Sequence, residues 1–149
     1  MTRTLRGIAG EYFVAAELSR RGYVASLTLR NTKGIDILAS NQDATKAVGI
    51  QVKTTLGLRP RWILTKKAEV LPVGLAVNLF FVFVALPEDG SLPSYHIVAR
   101  ETVSDLVRRN HEEWLKTPPR FGQRFDSSLR QFVDFENKYR DRWAALGLD

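Results

Sequence analysis

The eight residues Leu79 to Leu86, Leu-Phe-Phe-Val-Phe-Val-Ala-Leu, constrain the fold more than any other stretch of the chain. An alternating strand leaves one face to water, whereas an unbroken apolar run rich in Phe and Val predicts a strand buried on both faces. The uncharged segment around it, Val70 to Pro87, has the look of a membrane span, but Pro72, Gly74 and Asn78 interrupt it and a span needs about 20 apolar residues. No membrane association is expected. At 149 residues the chain suits one domain burying roughly 68–70% of the surface it exposes when unfolded. Its 44% hydrophobic and 26% charged residues are ordinary for a compact soluble protein. The absence of cysteine excludes disulfides, a thiol nucleophile and thiolate metal sites, and fits a reducing, cytoplasmic setting. Glu11 and Glu17 interrupt the N-terminal apolar stretch, so no signal-peptide core is expected.

Around the apolar strand the sequence reads as a helix, a sheet and then further helices, an α/β or α+β arrangement. The first helix is predicted from about Thr4 to Arg21, ended by Gly22, the residue type that closes helices in a left-handed conformation. At 100° per residue Leu5, Ile8, Tyr12 and Ala15 share one direction, Glu11 sits at the edge of that face, and Glu17 points away. Short β-type segments follow at 23–29, 35–39 and 47–55, separated by Asn31-Thr32-Lys33-Gly34 and Asn41-Gln42-Asp43 as turns; a meander is the simplest arrangement. Trp62-Ile63-Leu64 and Tyr95 to Ala99 read as further strands, and Glu101 to about Asn110 as a helix. A last helix is predicted over about Asp134 to Leu146, with Phe135, Tyr139 and Trp143 near one face. The linker-like stretch is Lys116-Thr117-Pro118-Pro119-Arg120 with Phe121-Gly122-Gln123-Arg124. One domain is expected over 1–149, with a core at about 4–115 and a C-terminal helical extension at about 125–149.

A carboxylate leaning toward the core costs free energy unless it is paired or holds a cation, so Glu11 needs a partner. A hairpin turning around Ala44 places residues whose numbers add to about 88 opposite one another. A register of 87 or 89 puts Asp36 on the face shared by Gln51 and Lys53, and a register of 88 turns it away. Val48, Ile50 and Val52 make that third segment a core strand, so Gln51, Lys53, Asp36 and Glu11 gather polar groups where burial is expected. Such clusters are functional or carefully paired, and a buried ion pair with an amide partner is the purely structural account. Asp36, the amide oxygen of Gln51 and the Val52 backbone carbonyl are hard oxygen ligands suited to Mg²⁺, which takes only one or two protein carboxylates and keeps several waters. Lys53 beside a metal-bound water could orient it and offset charge on a phosphate oxygen.

The net charge is +6, and from Ala44 to Ala68 there are six basic residues (Lys46, Lys53, Arg59, Arg61, Lys66, Lys67) and no acid. Such a field attracts phosphate backbones, which makes polyanions the expected partners; a solvated basic face without a partner is the bland alternative.

The helix with Gly10-Glu11, then Gly34-Ile35-Asp36, then Ile50-Gln51-Val52-Lys53 resembles the PD-(D/E)XK nuclease superfamily over about residues 4–55. The Gln-x-Lys form is similar to the branch with Mrr-like restriction enzymes, and the compact size with an N-terminal Glu is similar to archaeal Holliday-junction resolvases. The resemblance implies a restriction endonuclease-like α-β-β-β-α-β core, a mixed central sheet flanked by helices, with an added C-terminal helix. It also implies an Mg²⁺- or Mn²⁺-dependent phosphodiester hydrolase acting on DNA. Carried over by position, it makes Glu11, Asp36, Gln51 and Lys53 the catalytic set. On this reading Glu11, Asp36 and Gln51 would hold metal, joined by the Val52 carbonyl on the ligand chemistry above, while the basic tract's Lys46, Arg59, Arg61, Lys66 and Lys67 would, by charge, hold backbone phosphates. Ile35 stands where the family name has Pro. Gln51 replaces a carboxylate, which weakens metal binding and is what decay into an inactive DNA- or protein-binding relative, in a defence or toxin-neutralising system, would look like. Sequence-selective cutting by one domain would need a homodimer or a protein partner for targeting.

His96 and His111 lack partners at metal-ligand spacing and are read as structural. Trp62 is read as core and the Phe132, Phe135, Tyr139, Trp143 set as packing or a dimer interface. No P-loop, dinucleotide glycine motif or Ser/His/Asp order is present, so nucleotide hydrolysis, hydride transfer and acyl transfer have no support.

Overall fold

A computed structural model of the chain describes residues 1–29, 34–74 and 77–149; the expected turn at Asn31-Thr32-Lys33 lies outside them. A helix, α1 (Arg3–Arg20), is followed by β1 (Val24–Leu27), β2 (Ile37–Ser40) and β3 (Ala47–Leu56). Next come β4 (Trp62–Thr65), a 3-10 turn (Lys66–Glu69), β5 (Asn78–Leu86), β6 (Ser94–Ala99), α2 (Arg100–Lys116), β7 (Leu129–Phe132) and a 3-10 turn (Trp143–Leu146). The central sheet has the order β1-β2-β3-β5-β6. β1, β2 and β3 form the expected antiparallel meander, β5 lies parallel to β3, and β6 returns antiparallel. The crossover from β3 to β5 carries β4 and the 3-10 turn rather than an α-helix. Among the described residues no helix is long and apolar enough to cross a membrane; the run inside Val70 to Pro87 is β5.

β5 is buried on both faces, as its composition requires. Phe80, Val82, Val84 and Leu86 join Ile50 and Val52 of β3 against Val14 and Leu18 of α1. On the other face Phe81 and Phe83 meet Trp62 and Leu64 of β4, Phe132 of β7, and Val103 and Val107 of α2. β4 and β7 form a separate antiparallel pair, and the Trp62 indole N–H reaches through to the Val84 carbonyl at 3.0 Å. Trp62 is thus core, with its polar atom satisfied, as buried tryptophan requires.

The helix α1 is rotated from its expected orientation. Gly10, Val14 and Leu18 are its buried residues, while Leu5 and Tyr12 are exposed. Glu11 and Glu17 flank the buried stripe on opposite sides, 60° away from Val14 by the helical wheel's 100° step. Gly10 decides this rotation: a Cβ there would overlap Thr54 Oγ1, so only glycine lets α1 lie directly on β3. Ala gains about 1 kcal/mol over Gly in a helix, but overpacking costs about 1–3 kcal/mol. Gly10→Ala is therefore expected to destabilise the fold despite the better propensity; an unchanged or raised urea midpoint contradicts this contact. Glu17, pointing inward more than the wheel suggested, binds Arg21 at 3.3 Å. Burial, with help from Glu17 and Asp141, pushes the Tyr95 hydroxyl up to about 12. Below pH 10 Tyr95 is neutral whether folded or unfolded, so its contribution is complete. Between about 10 and 12 the unfolded phenol ionises first and draws the chain toward unfolding. Denaturation midpoints should fall across that window more steeply for wild type than for Tyr95→Phe.

The C-terminal third departs most from expectation. The helix predicted over Asp134 to Leu146 is absent: β7 precedes it, an irregular strap occupies 134–142, and only Trp143–Leu146 coils as a 3-10 turn. Asp134 draws the chain out of helical geometry by accepting from the Lys138 and Tyr139 amides at 2.8 and 2.9 Å. Asn137 and Asp141 take positive φ of 55° and 53°, which no helix interior allows. The strap instead extends the sheet beyond β6, with Ile97 donating to the Tyr139 carbonyl and Asp141 to that of Tyr95 at 3.0 and 2.9 Å. The aromatic spacing of 3 to 4 that imitated a helix serves both cores: Phe132 packs beneath β4, and Trp143 packs beside α1.

Candidate active site

β2 and β3 part at Asp36. In their paired region residue numbers add to 87, Ile37 facing Ile50 and Ser40 facing Ala47, the register that carries Asp36 to the level of Gln51. β2 ends there, while β3 continues to Leu56 with β5 on its other edge. The Asp36 side chain occupies the first open position: its Oδ2 accepts the Val52 amide at 2.7 Å. Its backbone N–H donates to the Ile50 carbonyl at 2.8 Å. From the β1 side, the Thr28 amide donates to the Asp36 carbonyl at 2.9 Å and the Thr28 hydroxyl to the Ile35 carbonyl at 2.6 Å. Asp36 is therefore held from three directions. A strand residue sends its N–H and C=O out by the same edge, so the Val52 carbonyl also leaves toward Asp36.

The four residues singled out in the sequence fall at this one end of the β2–β3 pair, divided between two neighbouring concavities. Glu11 and Asp36 line one of about 390 Å³ with Arg3, Gly7 and Thr28. Gln51 and Lys53, on the sheet face away from α1, line a cleft of about 620 Å³ with Arg3, Ile63, Lys67 and Arg100. Arg3 borders both. The first concavity is mainly anionic; the second carries Arg3, Lys53, Lys67 and Arg100 with no acid. One side is chemically suited to a cation and the other to an anion.

Sequence reasoning did not find Arg3 and Arg100. Arg100 spans the base of the cleft, donating to the Lys67 and Val70 carbonyls at 3.1 and 2.8 Å and also to that of Ala68. It lies 5.2 Å above the Phe81 ring, and burial pushes its pKa down. It thereby fixes the 3-10 turn that presents Lys67. No local sequence signal marks it, because its partners are backbone groups 30–33 residues away; Arg3, eight residues before Glu11 on α1, was visible on the helical wheel.

The basic tract does not form one patch. Lys53 and Lys67 are in the cleft and Lys66 is exposed beside it. Arg59 and Arg61 both lie over the Phe135 ring, at 5.0 and 5.2 Å. Lys46 is bound instead to the backbone oxygen of Asp149, at the far end of β3, about 17 Å from Gln51 at 3.3–3.4 Å per residue. His96 is buried and bonded to Asp134 at 2.7 Å, a structural pair.

No family model matches the sequence, and no curated protein matches it. Two solved structures share its fold. A Holliday junction resolvase from the archaeon Archaeoglobus fulgidus superposes with a TM-score of 0.55 at 14% identity, covering 96% of this chain and 97% of the resolvase. A bacterial homing endonuclease superposes with a TM-score of 0.54 at 12% identity, covering 97% of this chain and 91% of that one. The chain therefore has the fold of these two proteins, a mixed central sheet flanked by helices. This likeness in fold covers nearly the whole chain, well beyond residues 4–55.

Proposed function

We propose that the protein is a Mg²⁺- or Mn²⁺-dependent nuclease that hydrolyses phosphodiester bonds in DNA. The observation that carries this reading is the β2–β3 register of 87, which brings Asp36 to the level of Gln51 where the strands part, with Lys53 lining the adjoining basic cleft. The donor set fits a hard divalent cation. Glu11, the Asp36 oxygen not engaged by Val52, the Gln51 amide oxygen and the Val52 carbonyl would hold it. Glu11 and Asp36 line one concavity, and two carboxylates suit Mg²⁺, which takes one or two from protein and keeps several waters. When bound, such an ion supplies Lewis-acid polarisation of a phosphoryl oxygen. Lys53 donates a hydrogen bond to the attacking water or to the phosphoryl oxygen on which charge grows. Arg3 and Lys67 hold the phosphodiester in the cleft, Arg100 keeps Lys67 in place, and Arg59, Arg61 and Lys66 contact flanking phosphates.

The neutral Gln51 favours a second reading, an inactive binder of DNA or of a protein partner. Incubating wild type and Asp36→Asn with linear, circular and branched DNA and Mg²⁺ or Mn²⁺ separates the two. The nuclease reading predicts metal-dependent cleavage lost in Asp36→Asn, whereas intact DNA that is still retarded by wild type establishes the binder. Gln51→Glu adds a negative ligand and is expected to tighten Mg²⁺ binding about tenfold by calorimetry, since affinity follows ligand charge. An unchanged titration removes residue 51 from the ligand set.

A further inference from the structure

The segment Trp114 to Phe125 has no part in the site above, yet its composition is unusual. Its twelve residues include Lys116, Arg120 and Arg124, no acid, and a twice-repeated Arg-Phe pair, Arg120-Phe121 and Arg124-Phe125. Both phenylalanines are exposed, at 84% and 73%, and Trp114 is 42% exposed at the end of α2. Both arginines sit against a ring: Arg124 lies 4.3 Å over Trp114, and Arg120 5.7 Å over Phe121. Trp114 also stacks on His111 at 5.4 Å and 22°, and two of the neighbouring acids are engaged, Glu113 by Lys116 and Asp126 by His111.

Trp114 and His111 border a concavity of about 520 Å³ between α2 and the outer face of β4 and β7, lined also by Ile63 and Thr117. Ile63 borders the cleft of Gln51 and Lys53 as well, so the two concavities meet at β4, and Trp114 and Thr117 bring the start of the segment to the second of them. The exposed Phe121 and Phe125 rings, each next to an arginine, offer π-faces to bases and charge to the backbone, the combination that holds single-stranded nucleic acid without reading its sequence. Rigid duplex hides its base faces and cannot use those rings.

Resting on the nuclease reading, we propose that Trp114 to Phe125 is a second nucleic-acid contact that stacks unpaired bases beside the cleft, so that the protein prefers substrates with unpaired nucleotides to continuous duplex. Binding of a 20-residue thymidine oligonucleotide and of a 20-base-pair duplex, measured with Ca²⁺ in place of Mg²⁺, tests it. Phe121→Ala/Phe125→Ala, both exposed, should weaken the single strand about tenfold or more, since each base–ring stack contributes about 1–3 kcal/mol, and weaken duplex less than about twofold. Trp62 and Trp143 are buried, at 1% and 3%, so oligonucleotide quenching of tryptophan emission should be lost in Trp114→Phe. Equal losses on both ligands, or none on the single strand, overturn the proposal while leaving the nuclease reading intact. A variant that loses anionic phosphatidylglycerol vesicles or self-association, with thymidine affinity unchanged, reassigns the segment to a membrane surface or a second copy. Wild type that binds neither DNA removes both readings.

Discussion

Lys53→Ala is expected to lower metal-dependent DNA cleavage by roughly 10²- to 10⁴-fold, the range for losing a group that acts on the reacting atoms, with fold and DNA retention nearly unchanged. The selectivity follows from its surroundings. Lys53 is half-buried in β3 and lines the cleft with Arg3, Lys67 and Arg100; among the described residues it has no hydrogen bond or ion pair. A cation held among other cations contributes little to stability, and its loss leaves Arg3 and Lys67 to hold phosphate. Turnover against thermal midpoint and gel retardation checks this. A variant that cleaves as well as wild type removes Lys53 from the chemistry, and one that unfolds makes it structural.

The second large effect concerns the wall of the cleft. Phe83→Ala is expected to destabilise the protein by about 3–5 kcal/mol, a large share of a typical total of about 5–15 kcal/mol. Phe83 is fully buried at the centre of an aromatic cluster, stacked on Phe132 at 4.0 Å and on Phe81 at 5.2 Å, with Trp62 tilted at 5.3 Å. These rings join the small β4–β7 sheet to the central one, and β4 carries Ile63 and Thr65 into the cleft. A urea midpoint that falls with an unchanged slope checks the prediction. A loss below about 1 kcal/mol would mean that the two sheets are not packed through this cluster.

The central sheet was legible because its signals are local: the double-faced β5, the glycine stop of α1 at Gly22, and polar turns between short strands. Arithmetic left the parity of the β2–β3 register open, and the pairing of Ile37 with Ile50 resolved it. The rotation of α1 was misread because periodicity weighs Leu5 and Tyr12 by their hydrophobicity. Tertiary contact instead selects the face where Gly10 permits the closest approach to Thr54. The C-terminal strap was misread because Phe132, Phe135, Tyr139 and Trp143 repeat at helical spacing, whereas the deciding interactions are non-local. Asp134 pairs with His96 across 38 residues, and β7 finds its partner in β4. Lys46 belonged to a basic run in the sequence, and only the fold separates it from the cleft by binding it to Asp149.

In the proposed nuclease the α1 carboxylate and the polar groups around the β2–β3 divergence seat one divalent ion. Crystals grown with Mn²⁺ and measured at its absorption edge test this most directly. The account predicts an anomalous peak bonded to oxygens of Asp36, Gln51 and Glu11, at about 2 Å from its ligands, and its disappearance in Asp36→Asn. An ion bound elsewhere, or no peak between these residues at millimolar Mn²⁺, contradicts it.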